Sequence, residues 1–425
     1  MNRVIYAIFF LMAFSNTSIL GHIYLVEIPV VIGALMLPFH RDQKALSFNL
    51  LDRLVLTYAV FSLISVAVGI DSLYESARHY RLMVLTPVLI YLVIRFGSSS
   101  LEQLRKAAFF ILPGTFWQGG LLLQYYILYG SRPVGVEGAV STITLSVLIS
   151  ISLFLMIFNF KVKPKPVMNA FRYGLIILLF FMLVVTGTRA ALIGFVVMVV
   201  AIIFVWNLKS RRVWIGRGML ISISMLLILV ISGSIIFAGI KIDNVKEKST
   251  SVERVFDLDM LLWDLSGRID FWGRITNNAL ENPFFGSGGA SHSIGTSGGT
   301  DFKLGSAHNV LVSTLVTSGV PGLIILLSLI WAVYQVFKVI DNETLKHFVL
   351  GKSVLASVSV LLMVAITNDF SGGRIFIWLL LLAIAARMLN ELPRVAATKE
   401  QQGGVTVGDT EEAKAQIKTS GVRLR

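Results

Sequence analysis

The chain has 425 residues, of which 55% are hydrophobic and only 14% are charged. An average soluble domain carries about 25% charged residues, so this composition favours a membrane protein. The absence of cysteine excludes disulfides, thiolate metal sites and cysteine nucleophiles. The formal net charge of +13 does not indicate a nucleic-acid partner, because the basic residues are spread between hydrophobic runs.

Hydrophobic runs follow one another along most of the chain. A helix needs about 20 apolar residues to cross a bilayer. On this basis we predict about twelve spans, at residues 4–20, 22–39, 53–70, 80–95, 107–128, 139–159, 173–187, 190–206, 219–240, 309–337, 353–368 and 372–390. Residues 1–20 resemble a signal peptide, but no convincing cleavage site follows them, so we predict that they form the first span.

The lysines and arginines concentrate on alternate connections between these spans. One set of connections holds Arg3, Arg41, Lys44, Arg53, Arg95, Arg105, Lys106, Lys161, Lys163, Lys165, Arg172, Lys209, Arg211, Arg212, Arg217, Lys338, Lys346 and Lys352. The short connections of the other set hold only Arg78, Arg81, Arg132, Arg189 and Arg374. Cytoplasmic loops carry the excess of basic residues, so both termini are predicted to lie inside.

The predicted fold is therefore all-α: a polytopic transmembrane protein with one long outer loop between spans 9 and 10. Residues 1–240 hold spans 1–9, and residues 241–307 form the outer loop with short amphipathic helices. Residues 308–392 hold spans 10–12, and residues 393–425 form a polar tail that we predict to be disordered. Long loops usually have a function, so any chemistry is expected in the outer loop and at the adjoining helix ends.

Arg268 is the first candidate in the outer loop. It follows Ser266, a residue suited to cap a helix, and an apolar stripe that includes Ile269 and Trp272 continues to Pro283. A guanidinium at the start of a helix can bind an anion together with the main-chain donors there. The alternative is an interfacial amphipathic helix whose arginines meet lipid headgroups.

Two further patterns in the loop are weaker. Residues 295–299 match the G-x-S-x-G pattern of a nucleophile elbow, but that chemistry needs a strand–turn–helix context and an oriented base. Asp257 and Asp259 are similar to the paired aspartates with which sugar transferases hold a divalent cation, although an amphipathic interfacial segment explains the region better. We therefore expect no metal and no cofactor.

Several arginines lie at the outer ends of spans. Arg189 sits where one span turns directly into the next, and such a charge normally has a partner, a function or a snorkelling position at the interface. Arg374 follows two glycines and has Asp369 as a near neighbour with which it can pair. Arg78 and Arg81 lie beside the fourth span. We regard Arg374, Arg78 and Arg81 as secondary candidates.

His308 opens a long apolar run directly after the polar loop. An imidazole at a helix amino terminus lies at the positive end of the helix dipole, which favours its neutral form. Neutral histidine accepts a proton, so a general base is its natural role. The alternative is a histidine that caps the helix or packs the loop.

Three segments resemble the O-antigen ligase family of bacterial envelope glycosyltransferases. Residues 188–191 (Thr-Arg-Ala-Ala) are similar to the family's Ser-Arg-Gly segment, with alanine at 190 where glycine is commoner. Residues 266–288 form the second segment. The third is Ala307-His308-Asn309 with Gly319-Val320-Pro321-Gly322 downstream, which makes Asn309 a further candidate. The resemblance covers about residues 186–330.

This resemblance implies transfer of a glycan from undecaprenyl pyrophosphate to a lipid A-core acceptor, without a metal, at the periplasmic face of the bacterial inner membrane. It further implies that Arg189 and Arg268 hold the pyrophosphate and that His308 deprotonates the acceptor hydroxyl. The other partners are membrane lipids. The alternatives are an O-antigen polymerase or a related polysaccharide or protein glycan transferase, and, from a different class, a transporter of lipid-linked glycans. Transport predicts charges at mid-bilayer, whereas the charges here lie mainly at span ends, with Glu27 as the exception.

Overall fold

The structure is a computed structural model. It describes residues 1–15, 18–19, 23–39, 48–68, 77–78, 80–129, 141–158, 166–188, 190–199, 272, 276, 282–286, 293–295, 301–303, 309–340, 349–367 and 373–402. This part of the chain is mostly helical, which confirms the helical class predicted from the hydrophobic runs.

The helices follow one another along the chain with few other elements. They are α1 (Asn2–Leu11), α2 (Glu27–Met36), α3 (Leu50–Val68), α4 (Thr86–Gly97), α5 (Leu101–Ala108), α6 (Ile111–Tyr129), α7 (Thr142–Phe158), α8 (Pro166–Val185), α9 (Ala190–Val199), α10 (Val310–Ile340), α11 (Val349–Thr367) and α12 (Gly373–Gln402). The 3-10 segments Met12–Phe14 and Leu37–Phe39 extend α1 and α2, and the π-helical segment Arg81–Leu85 leads directly into α4.

Two antiparallel strand pairs add to the helices that the sequence predicted. β1 (Ser18–Ile19) pairs with β2 (Ile23–Tyr24) between α1 and α2, and β3 (Ser293–Gly295) pairs with β4 (Asp301–Lys303) in the predicted outer loop.

Among the described residues, three helical segments are long and apolar enough to cross a membrane: Leu50–Val68, Val167–Val185 and Val310–Gln335. The predicted spans at 4–20 and 22–39 overlap the shorter helices Asn2–Phe14 and Glu27–Phe39, because β1 and β2 occupy the chain between these helices. A helix of that length is shorter than the roughly 20 residues of a crossing. The count of about twelve spans and the position of the outer loop therefore stay predictions.

α12 is continuously buried over most of its first half and extends further than predicted. Its residues 374–388 are all buried, and it packs on α4 and α11. A helix that is apolar all round belongs in a core. It continues to Gln402, so the predicted disordered tail, 393–425, begins as helix. Alanine, lysine, glutamate and glutamine dominate residues 396–402, and these residues favour helix.

A buried ion pair joins α3 to α4. Arg95 donates from Nε to Asp52 Oδ1 at 3.0 Å and from Nη2 to Oδ2 at 3.1 Å, and the two side chains are 0% and 1% exposed. The Tyr91 hydroxyl donates to Asp52 Oδ1 at 2.6 Å. Arg95, counted above among the loop charges of the inner side, is thus a helical core residue with its own counter-ion. The sequence count missed this because the two partners are separated by 43 positions.

The same polar cluster extends to α12 and the short helix α5. Asn49 Nδ2 donates to the Ala386 carbonyl at 2.9 Å, and Glu391 accepts from the main-chain N–H of Leu101 at 3.1 Å and pairs with Arg387. The start of α3, the end of α4 and the start of α5 therefore meet residues 386–391 of α12.

Candidate functional site

A second polar cluster lies at the opposite ends of α4 and α12. Glu27 is buried, accepts from Thr86 Oγ1 at 2.8 Å and from the Tyr24 main-chain N–H at 2.9 Å, and its Oε1 lies 3.7 Å from Arg81 Nε. The Arg81 side chain is 35% exposed. Glu27, the charge that the sequence placed away from the span ends, is thus paired with Arg81, one of the secondary candidates. Arg78 is exposed at the surface.

Arg374 lies in the first turn of α12 and is buried. Two residues later, the ring of Phe376 meets that of Tyr24 edge-on, with 6.3 Å between ring centroids. The structure therefore brings the helix start that carries Arg374 to the strand that also contacts Glu27. Asp369, the predicted partner of Arg374, lies outside the described residues.

The turn before Arg189 is tightly organised. α8 ends at Val185, and Gly187 adopts a φ of 63°, a left-handed conformation typical of glycine after a helix. Thr186 Oγ1 donates to the Leu183 carbonyl at 2.6 Å and accepts from the Thr188 N–H at 3.3 Å.

α9 begins at Ala190, and the Thr188 carbonyl accepts from the Leu192 N–H of this helix at 3.2 Å. The Thr188 side chain is buried, and its hydroxyl has no hydrogen-bond partner in the part of the chain that the structure describes. A buried hydroxyl normally has such a partner, so this one is a candidate ligand-binding group. In the sequence, Thr188 is visible only as the first residue of the Thr-Arg-Ala-Ala segment.

Asn309 caps α10. Its Oδ1 accepts from the main-chain N–H groups of Leu311 at 2.9 Å and Val312 at 3.2 Å, and its carbonyl accepts the first helical bond, from Ser313, at 2.8 Å. This explains why a helix begins at Val310 and gives the Asn309 oxygen a structural role. His308 immediately precedes this cap in the sequence.

α10 is broken at Gly319, where the sequence predicted one uninterrupted span at 309–337. Gly319 has a φ of 64° and a ψ of −169°, and Pro321 follows. These values and the missing N–H of proline stop the helical bond ladder. Residues 320–340 alone are about 31 Å long at 1.5 Å per residue, which is enough for a crossing. Residues 310–318, which follow His308, form a separate helical segment.

A turn from the predicted outer loop fits into this break. Residues 282–286 form the turn, closed by a bond from the Gly286 N–H to the Asn282 carbonyl at 2.9 Å. The Pro283 carbonyl accepts from the Val320 N–H at 2.7 Å, and the ring of Phe285 stacks on Phe61 of α3 with 6.1 Å between centroids. This turn thus contacts two candidate membrane-spanning helices, α3 and α10.

The nucleophile-elbow interpretation of residues 295–299 does not fit the structure. Gly295 ends β3 and pairs with Asp301 of β4, so an antiparallel strand and not a helix follows the motif. A strand–turn–helix is the geometry that the elbow requires. Asp257 and Asp259 lie outside the described residues.

The three principal candidates, His308, Arg189 and Arg268, lie outside the described residues, so their convergence stays a prediction. What the structure describes is the frame beside them: the start of α9, the cap of α10, and the turn at 282–286 that follows Arg268. Glu27 and Thr188 were given no role in the sequence analysis. The sequence feature that could have indicated Glu27 is a lone acidic residue within a predicted span. For Thr188 it is a polar residue next to an arginine in the turn between two spans.

Residues 174–327 match the family model described as O-antigen ligase. The match confirms the predicted resemblance and supports membership of the O-antigen ligase family. It also supports glycan transfer of the ligase or polymerase type. The chain matches none of the curated proteins with which it was compared.

Proposed function

We propose that this protein is an O-antigen ligase that moves a glycan from undecaprenyl pyrophosphate to a lipid A-core acceptor. The observation that carries the proposal is the family match over residues 174–327, which includes Arg189, Arg268 and His308. The protein would lie in the bacterial inner membrane with both termini cytoplasmic and its site periplasmic. Nucleotides are not expected at that face, which favours a lipid-linked donor.

The leaving group of this reaction is a pyrophosphate whose negative charge grows as the glycosidic bond breaks. Arg189 and Arg268 would stabilise that charge by bidentate contacts. Arg189 follows Thr188 in the sequence, and α9, which begins at Ala190, has main-chain N–H groups in its first turn that its own helical bonds leave unused. A helix start, a buried hydroxyl and a guanidinium together suit a phosphate oxygen.

His308 would take the proton from the acceptor hydroxyl as that oxygen attacks the anomeric carbon. The proton moves to the imidazole, the new glycosidic bond forms, and the bond to the pyrophosphate breaks in one displacement. Inversion at the anomeric carbon follows, and no metal is needed. The cap at Asn309 makes the start of α10 a defined helix terminus, where the dipole favours the neutral, proton-accepting imidazole.

A polymerase is the second candidate, because the family match covers both kinds of transfer. Expression of the chain in a strain that lacks its own ligase tests the choice. A ligase restores the full ladder of glycan-bearing lipopolysaccharide on a gel. In a strain that instead lacks its polymerase, restoration of long chains from single-repeat products indicates a polymerase. Failure in both strains contradicts glycan transfer.

Thr188→Val separates donor binding from folding. Valine keeps the shape of threonine and removes a buried hydroxyl that lacks a partner, so the thermal stability is expected to stay the same or to rise. If the hydroxyl binds the donor, the donor KM should rise by about tenfold to 100-fold, since one hydrogen bond to a charged group contributes about 1.5–3 kcal/mol.

Thr186→Val is the matched control from the same turn. The Thr186 hydroxyl makes two hydrogen bonds and is fully buried, so its loss should destabilise the protein by about 1 kcal/mol without a selective effect on donor KM. Equal donor KM values for Thr188→Val and the wild type would show that the Thr188 hydroxyl does not bind the donor.

A further inference from the structure

We propose that the turn at residues 282–286 is a brace that holds the outer loop in one position on α10, and that Gly286 and Gly319 are positioning residues for glycan transfer. The inference rests on the proposed function for its catalytic consequence. Its geometric part, the docking of the turn into the helix break, rests on the contacts alone.

The two glycines fit each other's backbone. Both have a positive φ, 62° at Gly286 and 64° at Gly319. A Cβ at Gly319 would lie 2.5 Å from the Pro283 carbonyl oxygen, and a Cβ at Gly286 would overlap the Val316 carbonyl oxygen. Main-chain atoms cannot move aside as a flexible side chain can. The two segments can therefore approach this closely only because both positions are glycine.

The break and the turn also complete each other's hydrogen bonding. The break at Gly319 prevents the Val320 N–H from making a helical bond, and the Pro283 carbonyl accepts it at 2.7 Å. Inside a membrane an unsatisfied main-chain group is costly, so the broken helix is favourable only with the turn in place. Phe285 on Phe61 adds an aromatic contact to α3.

The turn at residues 282–286 is connected along the chain to both of the proposed catalytic segments. Arg268 precedes the turn in the outer loop, and His308 precedes the helical segment that ends at the break. Docking of the turn therefore fixes one point of the loop against the helix that follows His308. A misplacement of about 1 Å between catalytic groups can cost about 100-fold in rate, so loss of the brace should lower kcat and leave the acceptor KM little changed.

A cross-link tests this within one polypeptide, because the chain has no cysteine of its own. Phe61→Cys combined with Phe285→Cys removes both stacked rings and places a thiol on each side of the contact. A short bifunctional thiol reagent should join them in high yield, and neither single variant should form the bridge. Before cross-linking, the double-cysteine protein should have a kcat about tenfold lower than the wild type. After cross-linking, it should recover most of that lost activity.

Glycine variants provide the second measurement. Gly286→Ala and Gly319→Ala are expected to lower kcat by about tenfold to 100-fold. Gly174→Ala in α8, where an added methyl group meets no atom within 4 Å, is the control and should behave as wild type. Equal turnover of the bridged and unbridged double-cysteine protein would overturn the catalytic part, and failure to form the bridge would overturn the docking.

The failure of the proposed function is distinguishable from that of the brace. If the wild type transfers no glycan while the cysteines still bridge in high yield, glycan transfer is refuted and the docking stands. If the wild type is active and bridging has no effect on kcat, the positioning role is refuted.

Discussion

Asp52→Ala is expected to destabilise the folded protein by about 3–5 kcal/mol, because it leaves a buried guanidinium without its counter-ion. Both side chains of the Asp52–Arg95 pair are inaccessible to solvent, and the carboxylate accepts both guanidinium bonds. It also accepts from the Tyr91 hydroxyl and from the Asn49 main-chain N–H at 2.8 Å. Removing the carboxylate thus disrupts the contact between α3 and α4.

The measurement is the thermal transition of detergent-purified protein, with the yield of membrane-inserted chain as a second measure. Glu102→Ala is the matched control: this carboxylate also binds an arginine, Arg105, at 2.8 Å, but its side chain is 53% exposed. A surface pair contributes about 0–1 kcal/mol. Should Asp52→Ala not accumulate, Tyr91→Phe keeps the ion pair and should lower stability by about 1.5–3 kcal/mol. Comparable stability of Asp52→Ala and Glu102→Ala would contradict the structural importance of the pair.

His308→Ala is expected to lower the turnover of glycan transfer by about 100-fold to 10,000-fold, the usual contribution of a general base. The donor KM should change little, because the proposed pyrophosphate contacts belong to Arg189 and Arg268. Folding should be unaffected, since the helix cap next to it comes from Asn309. The measurement is initial rate against donor concentration.

His292→Ala is the control for this variant. His292 is also a histidine of the outer loop, immediately before β3, and no role in transfer is proposed for it. It should retain wild-type turnover. If the His308→Ala protein keeps the wild-type kcat, His308 is not the general base of the reaction.

The helical fold was predictable because hydrophobic runs and basic connections are strong, local signals. The structure joins Arg95, one of the basic residues that the charge pattern placed on one side, to Asp52 at the start of α3. The pairing itself was not predictable. Asp52 and Arg95 are separated by 43 positions, and a charge at the end of a run has the same sequence signal in a loop and in a buried pair.

The start of α10 was predictable, but its break was not placed. Asn309 before an apolar run is an ordinary capping signal, and the structure confirms the helix there. Gly319 and Pro321 were noted only as part of a motif, within a run that the sequence predicted as one span. The turn containing Pro283 and Gly286 contacts this break, and such a tertiary contact has no counterpart in the local pattern.

The stereochemistry of the product tests the central claim most directly. Purified protein in liposomes is supplied with a lipid-linked glycan of known anomeric configuration and with lipid A-core, in the presence of a chelator. Direct attack assisted by His308 predicts that the glycan is transferred without metal and that the new bond has the opposite configuration to the donor. Retention of configuration, or transfer that stops on chelation, would contradict a single metal-independent displacement.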